Sequence, residues 1–241
     1  MCLIVFAWQV IPNTPLIAAG NRDEFYDRPA DPADWWRDHP HVYAGRDLKG
    51  GGTWIGITRD SRFAALTNVR APSEMRDDAP TRGRLVADYL TGNLTPAEYI
   101  AQIAHDAGRY NGFNLLIGDR EQMIWFSNCA DGDERNGKPL APGVYGLSNA
   151  GLDCCWPKVV RTKAQFASLL CQAAPEDAFF EMLTDTTLAS DCRLPKTGVS
   201  LELERMLSAV YIESENYGTR SSTVVKLAAN DEPILCERML R

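Results

Sequence analysis

The chain opens on a run that leaves little choice of local structure. Leu3-Ile4-Val5-Phe6-Ala7-Trp8-Gln9-Val10 is apolar and rich in β-branched and aromatic side chains. Such a run reads as a strand buried on both faces. Ile11-Pro12-Asn13-Thr14-Pro15 has the composition of a turn, and residues 16–19 read as the returning strand. A hairpin of these two strands carries Asn21-Arg22-Asp23-Glu24 back alongside Cys2. The start of the chain and this charged tetrapeptide therefore form one constellation.

Cys2 follows Met1 directly. Removal of Met1 leaves a single residue with a free α-amine, of reference pKa about 7.7–8.0, and a thiol, of about 8.5. A base and a nucleophile matched that closely on one framework suit covalent catalysis. With Met1 in place the nitrogen of Cys2 is an amide and cannot act as a base. Cys2 then reads as a small buried hydrophobe.

Further along, residues 54–58 and 63–68 form the clearest hairpin, and 42–44 a short strand. Gly50-Gly51-Gly52 reads as turn geometry, since no Gly-Lys-Ser/Thr follows to make a phosphate loop. Helices are expected over 82–90 and over 96–107, the second with Thr95 and Glu98 as a capping box. Strands 113–118, 123–127 and 144–147 follow, the last ending at Ser148-Asn149. Helices are expected again over 157–171, 175–184 and 201–209, and a hairpin of 221–228 with 234–239. The stretches 27–40 and 69–81 read as surface loops. Short hairpins joining most strands predict antiparallel sheets, with the helices layered outside two packed sheets: an α+β, four-layer αββα sandwich. No Pro/Ser/Gly-rich linker divides the chain, so residues 1–241 are expected to form a single domain.

Lys and Arg number 25 against 32 Asp and Glu, a net charge of −7. With no basic run, this argues against nucleic acid as a partner. Seven cysteines, odd in number and without a CxxC pair, do not read as a disulfide framework, and three histidines offer little to a metal. No apolar segment approaches the roughly 20 residues needed to span a bilayer, and no basic segment precedes the first strand. A cytoplasmic protein is expected, acting on a small-molecule ligand.

The cysteine and the tetrapeptide also carry a resemblance. The chain resembles the N-terminal nucleophile hydrolases, and within them the NRDE family, which includes the transport and Golgi organisation proteins. The shared motifs are Met1-Cys2, Asn21–Glu24, Gly51-Gly52-Thr53-Trp54, Thr67-Asn68, Tyr110-Asn111-Gly112-Phe113-Asn114, Gly146-Leu147-Ser148-Asn149 and Tyr217-Gly218-Thr219-Arg220. The resemblance implies hydrolysis of a C–N bond in a small amide or N-acyl compound. Cys2 is then the nucleophile, and Arg22 lowers its pKa by charge. Asp23 orients the amine, Asn68 and Asn149 supply oxyanion or substrate contacts, and Arg220 matches a late arginine near the nucleophile.

Choloylglycine-type enzymes separate the arginine and the aspartate by two residues, whereas here they are adjacent. Adjacent residues on a strand face opposite sides. Either the motif sits in a turn, or only one of the pair faces the nucleophile and Glu24 takes the part of Asp23. The plainer alternative is a buried Arg22–Asp23 ion pair that fixes the hairpin end. The resemblance also implies a second function, haem binding and transfer without catalysis. Arg70, Arg82 and Arg84 are the candidates for meeting the propionates of such a cargo.

Overall fold

The structure is a computed structural model that describes residues 2–130 and 132–240. Met1, and with it the question of its removal, lies outside the described residues. β1 (Cys2–Ile11) and β2 (Thr14–Phe25) form the opening hairpin, in a register that sets Cys2 against Arg22 and Leu3 against Asn21. β2 is longer than its apolar core suggests. It runs through the whole Asn21–Glu24 motif, because β10 (Tyr217–Leu227) pairs along its other side and supplies backbone partners for these polar residues. The motif is thus strand, not turn.

β11 (Ile234–Met239) closes one side of this sheet and β9 (Gly143–Leu147) the other, giving the order β11-β10-β2-β1-β9. The second sheet has the order β3-β4-β5-β6-β7-β8. Its strands are β3 (Ala30–Trp35), β4 (Val42–Asp47), β5 (Ile55–Thr58), β6 (Phe63–Asn68), β7 (Phe113–Gly118) and β8 (Met123–Ser127). All the pairings of named strands are antiparallel.

The strand β3 corrects the reading of 27–40 as irregular. Its sequence, Ala-Asp-Pro-Ala-Asp-Trp, is poor in β-formers, yet it lies at the sheet edge, where a proline costs no ladder bond. A bulge between Asp31 and Asp34 accommodates it, and Trp35 packs edge-on against Tyr43 across the pair at 5.0 Å.

Three apolar clusters define the layers. Ile4, Phe6, Trp8, Leu16, Ile57, Phe63, Leu116 and Trp125 interdigitate between the two sheets. Leu66, Leu115 and Ile117 cover the outer face of the second sheet together with α1 (Gly83–Thr91) and α2 (Pro96–Ala104). Leu3, Val5 and Ala7 face outward from the first sheet, against α3 (Pro157–Cys171) and α4 (Glu176–Met182). The fold is therefore α+β, a sandwich of helices, sheet, sheet and helices. The alternation in β1 follows from the period of two along a strand, with both faces buried.

Helix ends follow local chemistry. Thr95 and Glu98 form the capping box of α2, with Glu98 N–H donating to Thr95 Oγ1 at 3.3 Å and Thr95 N–H to Glu98 Oε2 at 2.9 Å. α2 ends at Ala104 rather than 107, and α5 (Leu201–Met206), capped by Ser200, ends before residue 209. In both the chain leaves the helix through turn-type hydrogen bonds, Arg109 N–H to Asp106 O and Ser208 N–H to Arg205 O. Among the described residues no helix is long and apolar enough to cross a membrane.

Candidate active site

Cys2 sits at the first position of β1, and its alternation with Ile4 and Phe6 turns its side chain toward the inter-sheet face. Arg22 is its cross-strand partner and shares that face with Ala18 and Leu16. Both border a cleft of about 360 Å³ at the open end of the two sheets. Among the described residues the Arg22 side chain makes no hydrogen bond or ion pair, so its guanidinium is available to the cleft. Ser148 Oγ donates to the carbonyl of Cys2 at 3.0 Å and pins the strand start from the end of β9. The Cys2 thiol is pushed up from its ordinary value by burial, and Asp23 adds to the effect while Arg22 opposes it.

The adjacency of Arg22 and Asp23 has the consequence that strand geometry dictates. The Asp23 carboxylate lies toward the helix side, where it accepts a hydrogen bond from Thr219 Oγ1 at 2.7 Å, although the residue itself borders the cleft. Burial raises its pKa, against the pull of the amino-terminal charge, Lys158 and Arg70. Arg22 and Asp23 form no ion pair with one another within 4 Å. Asn21 is wholly structural. Its Nδ2 donates to Leu183 O at 2.9 Å and Val210 O at 3.0 Å, and its Oδ1 accepts from Ser222 Oγ at 2.7 Å. Glu24 borders the cleft beside Arg28, which is itself held by Asp47 at 2.7 Å.

Asn68, the last residue of β6, borders the cleft across from the hairpin. Asn149 does not line it. Its Nδ2 donates to the carbonyl of Asn68 at 2.7 Å, and its own carbonyl accepts from Arg70 N–H at 2.8 Å. It fixes the position of Asn68 rather than facing the cleft. Arg220 also lies outside the cleft lining. It is the extra residue at a bulge between Thr219 and Ser221, and its Nη1 donates to the carbonyls of Phe25 and Arg28. The bulge turns the side chain away from the nucleophile and onto the turn after β2.

The three arginines expected to meet an anionic ligand are dispersed. Arg82 borders the cleft and donates to Gly112 O at 2.9 Å. Arg84 is exposed on α1. Arg70 is buried, ion-paired to Glu204 at 2.7 Å and stacked on Trp156. Sequence reading missed Arg28, Asp47 and Glu237 on the cleft wall, and Lys158 behind it. One signal could have found Lys158: it lies four and eight residues before Thr162 and Phe166 on the buried stripe of α3.

The glycine loop also shapes the wall. Gly51 adopts φ +70°, and a side chain on Gly52 would meet the backbone of Gly83 at 2.3 Å, so the loop can lie against the start of α1. Behind the site, Asn114 ties β7 to the end of β9. Its Nδ2 donates to Thr67 Oγ1 at 3.1 Å and to Ala150 O at 2.6 Å, while Trp125 Nε1 donates to its Oδ1 at 3.2 Å. Asn114→Ala leaves buried polar partners unmet and is expected to cost about 3 kcal/mol. Urea denaturation measures it, and a loss below about 0.5 kcal/mol, the range of an ordinary surface substitution, would show that the network is dispensable.

Comparison with known proteins decides the family. The family model described as Transport and Golgi organisation 2 matches residues 1–241. The chain belongs to the Transport and Golgi organisation 2 family. Its relatives include the human Transport and Golgi organization protein 2 homolog, 34% identical over 100% of this chain and 93% of that protein. The mouse homolog is 33% identical over the same shares. The Drosophila melanogaster Transport and Golgi organization protein 2 is 30% identical over 93% of this chain and 87% of its own length. Among solved structures, the Caenorhabditis elegans N-acylethanolamine-hydrolyzing acid amidase ortholog is similar at a TM-score of 0.52 and 11% identity, covering 92% of each chain. At that identity the likeness speaks for the fold alone. This member of the Transport and Golgi organisation 2 family has an N-terminal nucleophile hydrolase-like fold.

Proposed function

We propose that this protein is a cysteine amidohydrolase that cleaves a small amide or N-acyl compound in the cleft beside Cys2. The observation that carries the reading is the thiol of Cys2 on the cleft wall, with the Arg22 guanidinium as its cross-strand partner. The N-acylethanolamine-hydrolyzing amidase whose fold it shares gives the reading a precedent.

With Met1 removed, the α-amine of Cys2 accepts the thiol proton as Sγ attacks the carbonyl carbon. The same proton passes to the leaving nitrogen as the C–N bond breaks, leaving a thioester on Cys2. Water, deprotonated by the amine, then attacks the thioester, and the proton returns to sulfur with release of the acid. Arg22 offsets the negative charge on sulfur. The Asn68 side chain, at the cleft rim, supplies an N–H to the oxyanion. Asp23 holds the ammonium form of the amine. Asn149 and Arg220 act from behind, by fixing Asn68 and the turn after β2.

The direct test is hydrolysis of an amide panel by the native protein and by Cys2→Ala, with intact mass recording the state of Met1. Turnover that survives in Cys2→Ala would overturn the reading. A second reading, haem as transferred cargo, draws on the two sulfur side chains of Cys2 and Met239 and on Arg22, Arg76 and Arg82 along the same wall. Trp54 is the one aromatic ring among the described lining residues, which suits a polar ligand better than a flat macrocycle. Titration of haem separates the two, since a Soret shift that Cys2→Ala or Met239→Leu removes would favour the cargo.

A further inference from the structure

The arginines of the cleft wall divide by what holds them. Arg28 and Arg46 are neutralised by carboxylates, Arg28 by Asp47 and Arg46 by Asp38, each at 2.7 Å. Arg76 and Arg82 are held by neutral carbonyls instead. Arg76 Nη2 donates to Gly108 O and Tyr110 O, both at 3.0 Å, and Arg82 Nη1 donates to Gly112 O at 2.9 Å. Among the described residues neither has a carboxylate within 4 Å. A carbonyl fixes a guanidinium in place without cancelling its charge.

Arg82 is the deeper of the two, half-buried where Arg76 is exposed. The carbonyl that it binds also accepts Val69 N–H at 2.9 Å. Its guanidinium is thereby anchored one residue from Asn68, at the end of the cleft that holds Cys2. Gly112 O is the one hydrogen-bond acceptor of the Arg82 side chain among the described residues, out of a fork of five N–H groups.

The acids of the wall do not answer this charge. The Asp23 carboxylate is turned to Thr219 on the helix side. Glu24 accepts Phe25 N–H at 2.9 Å and lies 3.9 Å from Arg28. Asp77 is exposed. Asp31 and Glu237 come from β3 and β11, three strands along from β6 and β1 in their sheets. Adjacent strands lie about 4.8 Å apart, so roughly 14 Å separates those strands from the ones that carry Asn68 and Cys2. Arg22 serves the thiolate, which leaves Arg82 as an uncompensated positive charge close to the reacting groups.

We propose that Arg82 is the specificity residue of this cleft and binds a carboxylate on the substrate, so that the amides taken carry a carboxylate a few bonds from the scissile carbonyl. The planar fork matches a carboxylate edge to edge, and one unanswered charge suits a monoanion. The inference rests on the hydrolase reading for its use in turnover, whereas the carboxylate site itself shows in binding alone.

The test compares acids with their carboxamides of equal length on the full chain. N-acyl amino acids carry the carboxylate on the leaving side, and monoamides of dicarboxylic acids carry it on the acyl side. In the native protein the acid of at least one set should exceed its carboxamide about tenfold or more in kcat/KM, as one charge-assisted contact implies. In Arg82→Gln that preference should disappear, with the loss in KM for the acid, and Arg82→Lys should restore part of it. Arg37→Gln, which removes an exposed charge outside the cleft lining, should keep the preference. Equal treatment of acid and carboxamide by the native protein overturns the proposal, and that comparison needs no variant to fold. A preference that survives in Arg82→Gln overturns it as well. Calorimetry with the same pairs separates the two readings. Tighter binding of the acid, removed by Arg82→Gln, in a protein that hydrolyses neither compound would end the enzyme reading and leave the carboxylate site standing. Cys2-dependent hydrolysis of acid and carboxamide alike would keep the enzyme and sink the site.

Discussion

Cys2→Ala is expected to abolish amide hydrolysis and leave the fold intact. Losing the nucleophile of a covalent hydrolase costs on the order of 10⁶ in kcat. The structural cost is small by comparison, because Cys2 lies at the strand start and borders the cleft, so the sulfur leaves a gap open to water rather than a sealed void. Burial holds the thiol protonated at neutral pH, so the reaction needs a base to take that proton. The α-amine, with a reference pKa of roughly 7.7–8.0, is the base present on the same residue. Hydrolysis should therefore rise with pH as the amine loses its proton. It should also be absent from protein in which Met1, or any added residue, blocks that amine. The measurement is kcat/KM against pH, with intact mass for each preparation. Full activity in blocked protein would sink the single-residue mechanism even if Cys2 proved essential.

The largest expected effect on stability lies away from the cleft, at the buried ion pair Arg70–Glu204. The two side chains are 5% and 4% exposed and 2.7 Å apart. Glu204 Oε1 accepts from Thr197 N–H at 2.9 Å and Thr197 Oγ1 at 2.6 Å. Burial pulls Arg70 below its ordinary range and Glu204 pulls it back. Removing one partner strands a desolvated charge, so Glu204→Ala is expected to cost about 3–5 kcal/mol, a large part of the 5–15 kcal/mol that roughly holds a domain folded. Replacing both residues with methionine should recover most of it, because the desolvation cost goes with the charges. Urea denaturation of the single and double variants decides. A double variant as unstable as Glu204→Ala would mean that shape, not charge, is what the pair supplies.

The opening hairpin was legible because its information is local. A continuous apolar run, a two-proline turn and a second apolar run admit one pairing, and that pairing sets Cys2 opposite Arg22. Strand periodicity likewise offered the parting of Arg22 and Asp23 to opposite faces as one of two alternatives, and the pairing of β2 with β10 decided for it. The strands Phe63–Asn68, Phe113–Gly118, Met123–Ser127 and Ile234–Met239 and the helix Pro157–Cys171 were legible at their boundaries for the same reason. β3 was not, since an edge strand tolerates residues that carry no strand signal.

The aim of individual side chains was the other gap. Asn149 and Arg220 stand in family-like motifs near the nucleophile, yet one is spent on Asn68 and the other is turned by a bulge. Arg70 reads as a rim arginine until Glu204, 134 positions away, closes on it. By itself, then, the sequence determined the layers of the sandwich and the pairing of thiol with guanidinium, because periodicity and turn chemistry act between neighbours. Only the tertiary structure decided which charges face the cleft and which, such as Lys158, are walled in behind it. Burial and charge balance depend on residues that meet only after the sheets have stacked.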